Sequence, residues 1–213
     1  MVGVYTRAMT VTVDLLTETP LAPPAGLGPY RRSDYEALPD QPRCELLFGR
    51  LYVVPGPSLP HQAVVQTMWL HLDRIAEASG GRAYVAPLDV ALADHSVVQP
   101  DVIYVSPERF AVLRRRIEGA PDLLVEVLSP GTARRDRGEK LILYAESSIR
   151  EYWIVDHQVR QIEFLVNEAG RFVVALPDAG RYRSQLLPEV HLDIAEFWRQ
   201  VETRLPPAPE SES

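Results

Sequence analysis

Two acidic residues stand where the surrounding sequence gives a carboxylate little reason to be. Glu126 interrupts Leu123-Leu124-Val125-Glu126-Val127-Leu128, a run otherwise apolar on both alternating faces, the mark of a strand covered on both sides. An ionised carboxylate placed there costs on the order of several kcal/mol unless a cation or strong donors meet it. The run therefore demands a partner: a metal ion, an Arg or Lys, or a shared proton. Asp101 poses the same problem inside Val97–Val105, which reads as an apolar strand with one acid in its middle and Pro100 marking an edge or a bulge. Two such acids converging on one cation suit Mg²⁺, which takes one or two protein carboxylates and keeps several waters. An ion held in this way activates water and stabilises the negative charge that develops when a phosphodiester is hydrolysed. Structural pairing of each acid is the plain alternative.

A third element carries the only lysine of the chain, Lys140, in a sequence that otherwise takes its positive charge from arginine. Lysine is a compact point charge with a tunable pKa, whereas arginine is a fork that stays protonated. Asp136, Lys140 and Tyr144 fall at i, i+4 and i+8 and share one face of a helix expected over Arg134–Ser147. Packed beside the Glu126 strand, that helix brings Lys140 to the carboxylates, where it orients or activates the attacking water. The alternative is an Asp136–Lys140 surface pair worth about 0.3–0.5 kcal/mol.

The elements that must position these groups follow from periodicity and punctuation. Ser33-Asp34-Tyr35-Glu36 opens a short helix. Cys44–Val54 reads as a β-hairpin about Gly49. Val64, Val65, Met68, Leu72, Ile75 and Ala76 recur at helical spacing, giving one amphipathic helix from His61 to about Ala78 that Gly80-Gly81 stops. Short strands are expected at Ala83–Ala86, Val90–Leu92 and Val97–Val105, then Asp122–Leu128, turned by Ser129-Pro130-Gly131. After the Lys140 helix come a strand pair, Glu151–Val155 and Gln161–Val166, a strand at Phe172–Ala175, and a last helix over Asp193–Arg204. The fold class is α/β, with a mixed central β-sheet flanked by helices. Residues 1–28 read as a flexible arm, 29–204 as one domain, and 205–213 as a disordered, acidic, Pro-rich tail.

Composition narrows the function classes. The chain has 213 residues and is 46% hydrophobic and 24% charged, as expected of a globular domain. No apolar run reaches the roughly 18–20 residues of a membrane span, and the N-terminus lacks the order of a signal peptide. One cysteine, Cys44, excludes an internal disulfide and a cysteine-based zinc site, so the expected compartment is the cytoplasm. His71, His95, His157 and His191 share no metal-like spacing. The net charge of -7 argues against a protein that grips nucleic acid over a broad basic surface. Only Arg114-Arg115-Arg116 and Arg134-Arg135-Asp136-Arg137 are dense in positive charge, and either can be a solvated face.

Several separate strings, in order, carry a resemblance. They are Glu45-Leu46-Leu47-Phe48-Gly49-Arg50-Leu51, Pro60-His61-Gln62, Gln99-Pro100-Asp101-Val102 and Ala120 through Thr132. Arg135 through Lys140, Tyr144 and Glu151 through Asp156 complete the set. Over roughly Tyr35 to Phe197 the chain resembles the Uma2 (DUF820) family of restriction-endonuclease-like proteins, within the PD-(D/E)XK nuclease superfamily. The resemblance implies a restriction-endonuclease-like core with an N-terminal β-hairpin and a Mg²⁺- (or Mn²⁺-) dependent endonuclease acting on DNA. It also implies metal ligation by Asp101, Glu126 and the Val127 backbone carbonyl. The superfamily's E-x-K lysine would fall at residue 128, which is Leu, and Lys140 on the following helix takes its place. Glu45, His61, Gln62 and Tyr144 are candidate supporting residues, against plain readings as a hairpin polar position, a capping or solvated helix start, and core packing. Trp153 and Tyr152 read as core.

Two other readings stay open: a nuclease-fold binding or regulatory protein with weak or lost catalysis, and a metal-dependent hydrolase of another phosphate ester. A homodimer is expected, because cutting two strands is simplest with two sites.

Overall fold

The computed structural model describes residues 2–6, 9–13 and 26–207. Most of the tail over 205–213 and much of the arm over 1–28 lie outside them. Within the arm, β1 (Val2–Thr6) and β2 (Met9–Val13) pair antiparallel.

Helix α1 (Arg32–Glu36) begins one residue ahead of the expected Ser33, and the Asp34 carboxylate accepts the Arg31 amide at 2.7 Å. The hairpin is β3 (Cys44–Leu47) and β4 (Arg50–Val53). Its two-residue loop has positive φ at both Phe48 (48°) and Gly49 (76°), the geometry that matches the twist of paired strands. Gly28 lies so close over this loop that a Cβ on it would stand 2.2 Å from the Gly49 carbonyl oxygen. Only glycine fits there.

Helix α2 (Leu59–Ser79) starts where Ser58 accepts the His61 amide and stops at Gly80, in the left-handed region at φ 78°. It packs on β5 (Arg82–Val85). β6 (Val90–Ala93) follows. The expected single strand over Val97–Val105 is two strands, β7 (Ser96–Val98) and β8 (Val102–Val105), which belong to different sheets. The break falls at Gln99-Pro100-Asp101. Pro100 has no amide to give a ladder, so the chain leaves one sheet and joins the other here. Asp101 therefore stands at the start of a strand rather than inside one.

A 3₁₀ turn (Pro107–Val112), the short β9 (Ile117–Glu118) and β10 (Leu123–Val127) come next. The expected continuous helix after β10 is two pieces, α3 (Ala133–Asp136) and α4 (Glu139–Glu146). The break is at Gly138, whose ψ of -95° departs from helical geometry. β11 (Glu151–Asp156), β12 (Gln161–Glu168) and β13 (Arg171–Ala175) form a meander. β14 (Arg181–Arg183) and β15 (His191–Asp193), which periodicity did not reveal, pair ahead of α5 (Ile194–Glu202).

The central sheet runs β13-β12-β11-β10-β8-β5 and is mixed: β10 and β11 are parallel, joined by the α3–α4 crossover, and the other pairs are antiparallel. A second sheet runs β4-β3-β7-β6-β9. Alternation along β10 divides the core. Leu123, Val125 and Val127 face α2 and α5 with Trp153, Phe164, Met68, Leu72 and Phe197. Leu124 and Leu128 face the other way, among Leu143, Tyr144, Tyr152, Leu47 and Val98. Trp153 and Tyr152 are fully buried, as expected. Glu126 lies on the second of these faces, and the polar site is assembled there.

Candidate active site

Glu126 projects from β10 toward α4, where its Oε1 accepts from Lys140 Nζ and from the Tyr144 hydroxyl, each at 2.8 Å. Lys140 Nζ lies 2.9 Å from Glu45 Oε1 and 3.5 Å from Asp136 Oδ1. The i, i+4, i+8 face thus converges despite the break at Gly138, and the Asp136–Lys140 pair is buried rather than superficial. Glu45, on β3, also accepts the Gln99 amide at 2.8 Å, and its Oε2 is 3.6 Å from Arg135 Nη1. Arg135 is itself buried, with its guanidinium 4.4 Å from the centre of the Tyr52 ring, and Tyr52 donates to Glu139 at 3.1 Å.

Asp101 enters from the break between the two sheets. Its Oδ2 accepts the Val127 amide at 2.7 Å, which ties it across the β8–β10 edge, and His61 Nε2 lies 3.4 Å from the same oxygen. The Asp101 side chain is 19% exposed, against 6% or less for Glu45, Glu126 and Asp136. Asp101 is therefore the mouth of the cluster. The Ser58 cap on the His61 amide fixes the backbone from which the ring reaches this mouth. Gln62, one residue on, points to solvent and is not part of the cluster.

Charge does not balance in this volume. Four carboxylates, Glu45, Asp101, Glu126 and Asp136, face two full cations, Lys140 and Arg135. Burial lifts the Glu126 carboxyl well above the ordinary carboxylate range; Lys140 pulls it back only in part, and Asp136, Asp101 and Glu45 push it higher. Burial raises Asp136 in the same way. Burial alone would also raise Glu45, but Lys140, Arg135 and the Gln99 amide outweigh it and hold that carboxyl low. Lys140 loses hydration by burial, yet the carboxylates around it keep it firmly protonated. Asp101 and the Val127 carbonyl together hold the His61 imidazolium form against its own desolvation.

Those observations test a metal. A surplus of buried negative charge beside a solvent-reaching carboxylate is what a divalent cation relieves. Among the described residues no group of three His, Cys, Asp or Glu side chains is placed to hold a metal ion. The groups left to hold one would be two carboxylates, Asp101 and Glu126, with the Val127 carbonyl. In an extended strand the amide and carbonyl of one residue face the same edge, which for Val127 is the edge toward Asp101. Mg²⁺ keeps several waters and needs no more protein ligands than these, so the residues fit the ion.

Motif reading had singled out Glu45, His61, Asp101, Glu126, Lys140 and Tyr144, and the fold brings their side chains together. It missed Gln99, Tyr52 and Glu139, and saw Arg135 only as part of a basic run. Gln99 acts through its backbone amide, for which side-chain chemistry gives no signal.

Comparison with known proteins bears on the whole arrangement. A family model described as "Uma2: Putative restriction endonuclease" matches residues 32–195. No curated protein matches the chain. Among solved structures, the crystal structure of "a putative nuclease belonging to DUF820" from Anabaena variabilis superposes with a TM-score of 0.67 at 19% identity, covering 81% of this chain and 99% of that one. That likeness establishes the shared fold. With the family model spanning both sheets and every residue of the carboxylate cluster, the chain belongs to the Uma2 family.

Proposed function

We propose that this protein is a metal-dependent endonuclease that hydrolyses DNA phosphodiester bonds, with Mg²⁺ or Mn²⁺ held by Asp101, Glu126 and the Val127 carbonyl. The observation that carries the reading is the convergence of four carboxylates on two full cations in one buried cluster that opens to solvent at Asp101. A bound divalent ion supplies Lewis-acid polarisation of the phosphate and a water acidic enough to attack at neutral pH.

The chain's own residues set the rest. Lys140, held protonated among Glu126, Glu45 and Asp136, acts as a fixed cation that positions Glu126 and does not take a proton. Tyr144 donates to the same Glu126 oxygen and fixes its rotamer. The Val127 amide holds one Asp101 oxygen, which leaves the other to face the mouth. His61, at that mouth, is placed to give a proton to the departing oxygen. Membership of a restriction-endonuclease family supports DNA as the substrate. No helix among the described residues is long and apolar enough to cross a membrane. The reading places the enzyme in the cytoplasm as a homodimer with one site per protomer.

The test is cleavage of plasmid, linear and single-stranded DNA with Mg²⁺, Mn²⁺ or EDTA. Metal-dependent cutting that Asp101→Asn and Glu126→Gln both abolish is the expected result. Wild-type protein that cuts nothing, or variants that cut equally well, would sink it. The second reading, a nuclease-fold binding protein, is favoured by one observation: Lys140 already pairs with Glu126 and closes the back of the site. Metal binding measured by calorimetry without any cleavage would select that reading.

A further inference from the structure

A cleft of about 690 Å³ lies beside the carboxylate cluster, and the proposed chemistry does not use it. Its volume is that of a small-molecule site. Tyr35, Asp89 and Gln99 build one wall. The Tyr35 hydroxyl donates to Asp89 Oδ1 at 2.8 Å, and Gln99 Nε2 donates to the same oxygen at 3.0 Å. Among the described residues the cation paired with Asp89 Oδ2 is Arg116, at 4.0 Å, too far for a hydrogen bond. The Gln99 side-chain oxygen has no hydrogen-bond partner among the described residues. Arg43 and Arg115 line the same cleft and make no side-chain hydrogen bond or ion pair among the described residues. Glu36 is neutralised by Arg32 and Arg116, so Asp40, exposed on the rim, and Asp89 are the acids left opposing them.

Two backbone links tie this cleft to the cluster. The Gln99 amide holds Glu45, which holds Lys140. The Ala86 amide donates to the Asp101 carbonyl at 3.1 Å, immediately before the cleft residues Pro87, Leu88 and Asp89. At most about 7 Å of chain separates Gln99 from Asp101. A strand reaching the metal ligands thus passes the cleft within about one nucleotide.

We propose that the cleft binds one nucleotide of the substrate strand, its phosphate on Arg43 and Arg115 and its base against Asp89. This rests on the endonuclease reading and deepens it. Guanidinium groups without partners are the phosphate-binding chemistry, and they supply locally the positive charge that the acidic chain lacks overall. The Asp89 oxygen that makes no hydrogen bond accepts best from a base that presents an amino group, as guanine, adenine and cytosine do, whereas thymine offers it only the ring N–H.

The experiment is calorimetric titration of wild-type protein in EDTA, where no cleavage occurs, with 5′-dGMP, 5′-dTMP and inorganic phosphate. The expected order is dGMP above dTMP above phosphate. Arg43→Gln/Arg115→Gln should weaken dGMP by about tenfold or more, the loss of charge-assisted contacts. Asp89→Asn, which turns an acceptor into a donor, should shift preference toward dTMP. The arginine side chains lack structural partners, so that double variant remains informative if Asp89→Asn fails to fold. Absent nucleotide binding, phosphate binding as well as dGMP, or unchanged binding in the arginine variant overturns the proposal. If dGMP binds but DNA is never cut, the cleft stands and the endonuclease reading fails. If DNA is cut but no nucleotide binds here, the reverse holds.

Discussion

Glu126 and Glu151 sit on adjacent parallel strands, both buried, and their surroundings could hardly differ more. Glu126 meets a lysine, a tyrosine and three further carboxylates, and opens to solvent through Asp101. Glu151 meets only neutral donors: Trp153 Nε1 at 2.9 Å, the Tyr182 hydroxyl at 2.9 Å and the Ser184 hydroxyl. Tyr182 and Ser184 thereby fasten the small β14–β15 sheet to the central one. A third buried acid, Asp122, is closed by the Ser106 amide at 2.6 Å, Arg150 at 3.0 Å and Arg109 at 3.3 Å. An acid embedded in an apolar strand is thus no sign of function by itself. What separates Glu126 is that its partners do not balance it.

The largest effects should follow that imbalance. Asp101→Asn and Glu126→Gln preserve shape and should each lower DNA cleavage by about 10³-fold, the loss of several kcal/mol of charge stabilisation. Glu151→Gln should leave the cleavage rate within about twofold, because Glu151 bonds to none of the residues of the carboxylate cluster. A Glu151→Gln enzyme as dead as Glu126→Gln would erase the contrast. Lys140→Ala should destabilise the fold by about 3–5 kcal/mol in denaturant unfolding, since it strands buried carboxylates without their cation. Stability equal to wild type would mean that Lys140 does not hold the cluster together.

The sequence made the Glu126 side of the comparison legible and left the other side dark. Glu126 is flanked by apolar residues on both sides, so its demand for a partner is visible. Glu151 and Asp122 stand at strand beginnings, where an acid reads as solvated. Their burial comes from elements remote in sequence: Ser184 from the β14 edge, Arg150 and Arg109 from loops. The sequence marks Asp101 as a site acid, but inside a continuous strand, because Val97–Val105 is apolar at both ends. Only the tertiary path shows that Pro100 hands the chain from one sheet to the other. The long helix α2 and the Phe48-Gly49 hairpin were readable because each combines periodicity with a glycine stop. The β14–β15 pair, three residues per strand, is too short for periodicity to reveal.

The Glu151 side yields smaller, sharper tests. Glu151→Ala removes the acceptor shared by three buried donors and should cost about 3 kcal/mol in denaturant unfolding, whereas Glu151→Gln should stay within about 1 kcal/mol. Equal losses in both variants would mean that the site is held by packing, as Trp153 and Phe164 are, rather than by these bonds.

The smallest effect is a slope. Burial holds the folded Glu151 carboxyl above its ordinary value of 4.5, against the opposing pull of its donors. The unfolded chain titrates at the ordinary value. Between the two values the folded state binds more protons than the unfolded state, so this group's contribution falls as pH rises from 4.5 through the folded value and is constant beyond it. Each unit of separation is worth about 1.4 kcal/mol. Gln cannot titrate, so the stability of Glu151→Gln relative to wild type should climb across that window and then level. Unfolding measured for both proteins from pH 4 upward reads the difference directly and cancels the other carboxyls, Glu126 included. Parallel curves would mean that the donors around Glu151 stabilise its charge as fully as water does.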